Sequence, residues 1–194
     1  KRNGEPVPPD QFIPLAEEMG LIGALGEWGV EEACRQMVEL QTLGLELPKV
    51  SVNVSALQFN PAFIKRVSEV LIKTGLRPRR LQLELTEGIM LDDTDATIRA
   101  LSNLKDLGVR LSIDDFGTGY SSLSYLSRFP LDELKIDRSF VIDFDKSEND
   151  ASLVIAIIAM ARSMRLHLVA EGVETHEQYH FLRNNGASVI QGYL

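Results

Sequence analysis

The sequence is poor in the residues that most often announce a site. It holds one cysteine, Cys34, and three histidines. A lone cysteine excludes an internal disulfide and suits a reducing compartment; its reading is a small core filler on a helix. No apolar run reaches the ~18–20 residues that cross a bilayer, and the longest, 153–161, reads as a buried helix. Positive charge is not in excess. The formal net charge is −8, which argues against an extended nucleic-acid groove and against a nucleic-acid polymer as partner. It leaves room for a phosphate ligand where metal ions neutralise the local field. The first residues are polar and proline-rich and read as a loop, not as a signal peptide. Internal repeats and low-complexity stretches are absent, so 1–194 reads as one domain.

What is present is an ordinary globular composition, 44% hydrophobic and 25% charged, arranged in alternating units. Residues 49–55 (KVSVNVS), 81–87 (LQLELTE), 109–115, 133–137 (ELKID), 167–172 and 187–192 read as strands. Helical patterns fill 11–19, with Asp10 as its cap, and 25–43, where Trp28 reads as packing. Others cover 60–74, 92–107, 121–128, 147–164 and 177–184. Glycine stops most of them, and Asn60-Pro61 opens one by the cap-then-proline pattern. Strand–helix units of about 30 residues imply a parallel sheet with helices outside.

Each strand ends in a polar residue: Asn53, Glu84, Asp114 with Asp115, Lys135, Glu171 and Gln191. In an open sheet only strands beside the switch point line a ligand. Contributions from every strand imply a ring, a (β/α)8 TIM-like barrel with its site at the C-terminal face. Six of the eight strands are visible. The first two are expected before Lys1, and the chain is expected to be cut short at its C-terminus as well.

The centre of the pattern is 111–122 (LSIDDFGTGYSS). Neighbouring strand residues point to opposite faces, so Asp114 and Asp115 can serve one site only where the strand turns. Gly117 and Gly119 are expected to supply that turn. Paired carboxylates need a cation or a shared proton. The set Asn53, Glu84, Asp114, Asp115 and Glu171 offers only hard oxygen donors, which suits Mg²⁺ or Mn²⁺ better than zinc. Two such ions can clamp a phosphodiester and activate a water. Lys135, between Leu134 and Ile136, is expected to face the barrel pore.

Plainer readings exist for other features. The glycines 117 and 119 imitate a dinucleotide fingerprint with Asp137 as the ribose acid, but two aspartates directly before the loop would repel a pyrophosphate. His176 and His180 share a helix face and lack a third zinc ligand. Arg77-Pro78-Arg79-Arg80 reads as a solvated loop.

The segments QFIPLAEEMGLI (11–22), SVNVSALQF (51–59), ELTEG (84–88), DDFGTGYSSLSYLSRFPLDELKID (114–137), VAEGVET (169–175) and QGYL (191–194) resemble the EAL domain, the cyclic-di-GMP phosphodiesterase domain of bacterial signalling proteins. The resemblance spans essentially the whole chain. It implies hydrolysis of cyclic di-GMP to the linear dinucleotide pGpG with Mg²⁺ or Mn²⁺, two ions in all. It implies Asn53, Glu84, Asp114 and Asp115 as metal ligands, and Lys135 with Glu171 as the pair that holds and activates the water. Glu87 would prop the loop of residues 116–122, which holds Gly117 and Gly119, and Glu174 and Gln191 would be further site and ligand-contact positions. It also implies a homodimer through residues 116–128, a cytoplasmic domain linked to sensory or GGDEF domains, and a parent protein that is sometimes membrane-anchored. Two departures stand out. The signature glutamate and the arginine after it are not in the sequence, and Gly88 stands where the family usually has serine. The alternative reading is a catalytically inactive receptor for cyclic di-GMP; an unrelated metal-dependent barrel lyase or an inactive scaffold are further rivals.

Overall fold

A computed structural model describes residues 7–90, 95–117, 126–142 and 148–194. Helices α1 (Pro9–Glu18) and α2 (Ile22–Thr42) lead into β1 (Val50–Val54), α3 (Pro61–Thr74) and β2 (Leu81–Thr86). Then follow α4 (Asp95–Asp106), β3 (Arg110–Phe116), β4 (Glu133–Ile136) and the short α5 (Arg138–Ile142). The chain continues through α6 (Glu148–Ser163), β5 (His167–Val173), α7 (His176–Asn185) and β6 (Val189–Gly192). The strands form one six-stranded sheet in sequence order, β1 to β6, and every neighbouring pair is parallel. The described residues are thus a curled arc of a β/α barrel with helices on its outside.

Local chemistry explains the elements. In α3, the Asn60 side chain accepts the Phe63 N–H at 3.0 Å, Pro61 opens the helix, and Gly75 closes it at φ 72°. Phe63, Val67, Val70 and Leu71 form its buried face, which is helical spacing. Leu81, Leu83 and Leu85 of β2 are fully buried against the helices, each contributing ~1.5–3 kcal/mol by leaving water. The alternate residues of β2, Gln82 and Glu84, are also buried and face the inside of the arc. That two-sided burial is why the interior positions decide what the protein can do.

Two expectations are corrected. Helix α1 begins at Pro9 with Pro8 as its cap residue, so Asp10 lies in the first turn and does not cap it. Trp28 is 64% exposed and lines a cavity instead of packing in the core. The helix expected at 121–128 lies, up to residue 125, outside the described residues. Short α5 leaves no signature in the sequence, because five residues are too few for a periodic signal. No helix among the described residues is long and apolar enough to cross a membrane.

Cys34 is fully buried in the core, and burial pushes its thiol up to about 11. Thiolate is the reactive form. A disulfide-exchange reagent at pH 8 is therefore expected to leave Cys34 unmodified in the folded chain and to label it fully in denaturant; rapid labelling of the folded chain would contradict this packing.

Candidate active site

The C-terminal ends of β2 to β5 converge on one ammonium group. Lys135 Nζ lies 2.6 Å from Glu171 Oε1, 2.9 Å from Asp114 Oδ1 and 3.0 Å from Glu84 Oε2. The three carboxylates come from β5, β3 and β2, and Lys135 stands between them on β4. Burial works against the Lys135 charge, but the hydrogen bonds to Glu171, Asp114 and Glu84 outweigh it and raise its pKa. The lysine faces the interior because Leu134 and Ile136 on either side are fully buried against the helices.

Asp115 adds a fourth carboxylate by an unusual backbone. Its φ is 53°, in the left-handed region that non-glycine residues seldom occupy. The β3–β4 register steps from Ile113↔Leu134 to Phe116↔Ile136, so β3 spends one residue more than its partner. This is a bulge, which re-aims side chains and is frequent beside active sites. The turn expected from glycine is therefore begun at Asp115 itself; Gly117 follows at φ 103°. Gly119 lies outside the described residues.

The same device recurs on β5. Its register with β6 steps from Ala170↔Ile190 to Val173↔Gly192, and Gly172 sits in the step at φ 69°. Glu171 is carried at this second bulge. As a result, carboxylate oxygens of Asp114, Asp115 and Glu171 lie within 4.8 Å of one another. An all-oxygen group of this kind fits a hard divalent cation. Asp115 is pushed up by burial, by the Asp114 charge and by Asp137, with which it shares a side-chain hydrogen bond.

The remaining predicted residues fall around this centre. Asn53 is paired in register with Glu84 and lines a 520 Å³ cavity with Asp114 and Asp115. Glu87 is buried, and its Oε2 accepts the Gly117 N–H at 3.1 Å. Glu174 and Gln191 line a separate 370 Å³ cleft with Glu171. Gln178 fixes the chain there: its Oε1 accepts the N–H groups of Glu174 at 2.7 Å and Thr175 at 3.0 Å.

Two residues of this region enter it without belonging to the predicted set. Arg138 lines the cleft of Glu171, Glu174 and Gln191 and brings a cation to it. Its position just after β4, where barrel sites are built, was the available clue. Asp137 is the hydrogen-bond partner of Asp115 and not the ribose acid of a dinucleotide fingerprint. The two histidines of α7 are exposed, and neither joins the one metal-capable cluster among the described residues.

A parallel β/α arc with a carboxylate cluster at its C-terminal edge defines the class: barrel proteins whose chemistry sits on the strand ends. The family model of the EAL domain matches residues 1–194. The chain belongs to the EAL domain family. It is 48% identical over 187 residues to the cyclic di-GMP phosphodiesterase NbdA of Pseudomonas aeruginosa, a match covering 96% of this chain and 24% of the relative. It is 47% identical over 189 residues to the bifunctional diguanylate cyclase/cyclic di-GMP phosphodiesterase MucR of the same organism, covering 97% and 28%. The chain thus spans about a quarter of the length of these curated relatives. Among solved structures, the PaMucR phosphodiesterase in complex with c-di-GMP superposes with a TM-score of 0.95 at 45% identity, covering 100% of this chain and 79% of that one.

Proposed function

We propose that the chain carries the phosphodiesterase site of an EAL protein and hydrolyses one phosphodiester bond of cyclic di-GMP to give linear pGpG. The observation that carries the reading is the convergence of Glu84, Asp114 and Glu171 on Lys135, in a chain 48% identical to a relative named as a cyclic di-GMP phosphodiesterase. Asn53, Glu84, Asp114 and Asp115 would hold two Mg²⁺ or Mn²⁺ ions. Such ions, when bound, neutralise phosphate charge and lower the pKa of a coordinated water.

The protein's own groups do the rest. Glu171 would accept the proton from the attacking water. Lys135 Nζ offsets the three carboxylates that take its N–H groups, and would turn one N–H to that water's oxygen once Glu84 and Asp114 hold the ions. Glu174, Gln191 and Arg138 line the adjoining cleft, where the guanidinium suits a phosphate. Glu87 keeps the backbone at Gly117 in place through its hydrogen bond. A homodimer through residues 116–128 and linkage to sensory or GGDEF domains belong to the same proposal.

The test is hydrolysis of cyclic di-GMP with Mg²⁺ or Mn²⁺, then with chelator. Metal-dependent appearance of pGpG is expected. Ligand binding without product in any metal would replace this reading with that of a receptor.

A further inference from the structure

The interior of the arc is not filled as barrels of this class usually are. Branched aliphatic side chains normally dominate the pore. Here the layer beneath the site is polar: Gln82, Ser112 and Glu133 are buried, and Lys49 reaches in from the residue before β1. Lys49 Nζ lies 2.6 Å from Glu133 Oε2 and donates to Gln82 Oε1 at 2.8 Å. Gln82 Nε2 donates to Glu133 Oε1 at 2.6 Å and stands 3.4 Å from Glu84 Oε1. Ser112, in register between Glu84 and Glu133, has a buried hydroxyl without a partner among the described residues.

The donor inventory fixes the direction of this chain. An ammonium only donates, so Lys49 requires the carbonyl of Gln82 to face it. The Gln82 amide must then point its N–H groups towards Glu133 and Glu84. Glu84 is held at both oxygens: Oε2 by Lys135 at 3.0 Å and Oε1 by Gln82. Lys49 and Glu133 neutralise each other, so the layer adds orientation to Glu84 without adding net charge.

We infer that Gln82, clamped by Lys49 and Glu133, is a positioning residue that sets the carboxylate of Glu84 for metal binding. The inference rests on Glu84 being a metal ligand. Outer-layer partners of this kind are worth about 10- to 100-fold in metal affinity. Leucine fills nearly the same space and cannot donate, so Gln82→Leu removes the bond and keeps the packing.

The experiment titrates Mn²⁺ into the chain and its variants by electron paramagnetic resonance, which counts free ion without turnover. Urea midpoints are recorded in parallel. Gln82→Leu is expected to weaken Mn²⁺ binding by about 10-fold or more, and excess Mn²⁺ is expected to restore its turnover. Glu84→Gln is the reference. If Glu84→Gln weakens binding and Gln82→Leu does not, the inference is overturned and the metal reading stands. If Glu84→Gln leaves Mn²⁺ affinity unchanged, the metal reading itself fails and takes the inference with it. Should Gln82→Leu not fold, Lys49→Met at the half-buried base of the layer is the second variant. It frees the amide to flip and is expected to weaken Mn²⁺ binding several-fold; wild-type affinity in that variant would overturn the inference.

Discussion

Replacing Lys135 by methionine is expected to lower turnover of cyclic di-GMP by about 100- to 10,000-fold, the usual range for a group that manages the proton inventory of a reaction. The metal-free protein is expected to lose about 3–5 kcal/mol of stability, as when one partner of a buried ion pair is removed. Both effects share one origin. Lys135 is the cation common to Glu84, Asp114 and Glu171, and its side chain is only 8% exposed. Without it, three converging carboxylates have lost their shared partner. Mn²⁺ should then stabilise Lys135→Met more than it stabilises the parent, because the ion replaces the missing charge. Urea unfolding with and without Mn²⁺ measures this directly. An equal gain in both proteins would mean that the ion and the lysine do not share these carboxylates.

Gly172→Ala is expected to cost ~1–3 kcal/mol from overpacking and about 1–2 kcal/mol from the left-handed backbone. Turnover should fall by about 100-fold, the cost of a ~1 Å misplacement at a reacting centre. At φ 69° an added methyl would stand 2.5 Å from Arg138 Cβ and 3.2 Å from Arg138 Cα. The second contact is with backbone, so a rotamer change cannot relieve it. Either the second bulge opens and carries Glu171 with it, or the start of α5 moves and carries Arg138. Each outcome disturbs the cleft of Glu171, Glu174 and Gln191. Denaturant midpoints and steady-state kinetics separate the two costs; a variant with full turnover and unchanged stability would contradict the packing described for Gly172.

Much of this molecule is legible in its sequence. All six strands were readable because valine and leucine alternate with polar residues in 49–55 and 81–87, and because glycine or proline punctuates the ends. The cap at Asn60 announced itself for the same local reason. Lys135 could be placed inside because an apolar neighbour on each side leaves a strand residue only the other face. What stayed hidden depends on pairing across long stretches of chain. Gln82, Glu133 and Lys49 are unremarkable strand residues singly. Their network exists only because β1, β2 and β4 are brought together, with Lys49 and Glu133 separated by 84 residues. Gly117 takes part in the turn as expected, but its start at Asp115 is hidden, since positive φ at aspartate is held by the surrounding structure and leaves no mark on composition. Trp28 deceived for a different reason: its size suggests burial, but its helix face borders an open cavity.

The two bulges divide the labour of the chain between architecture and chemistry. Strands β3 and β5 each contain one surplus residue relative to their neighbour, and the carboxylates of Asp114, Asp115 and Glu171 sit at those surpluses. Excise one residue from each strand, and the ladder from Ile113 to Phe116 and from Ala170 to Val173 would run evenly, with the same apolar side chains facing the helices. A more regular sheet would remain, without the oxygens of Asp114, Asp115 and Glu171 gathered within 4.8 Å of one another. The carboxylate cluster is held by a small, local departure from regularity, two residues long, that the rest of the scaffold is large enough to carry.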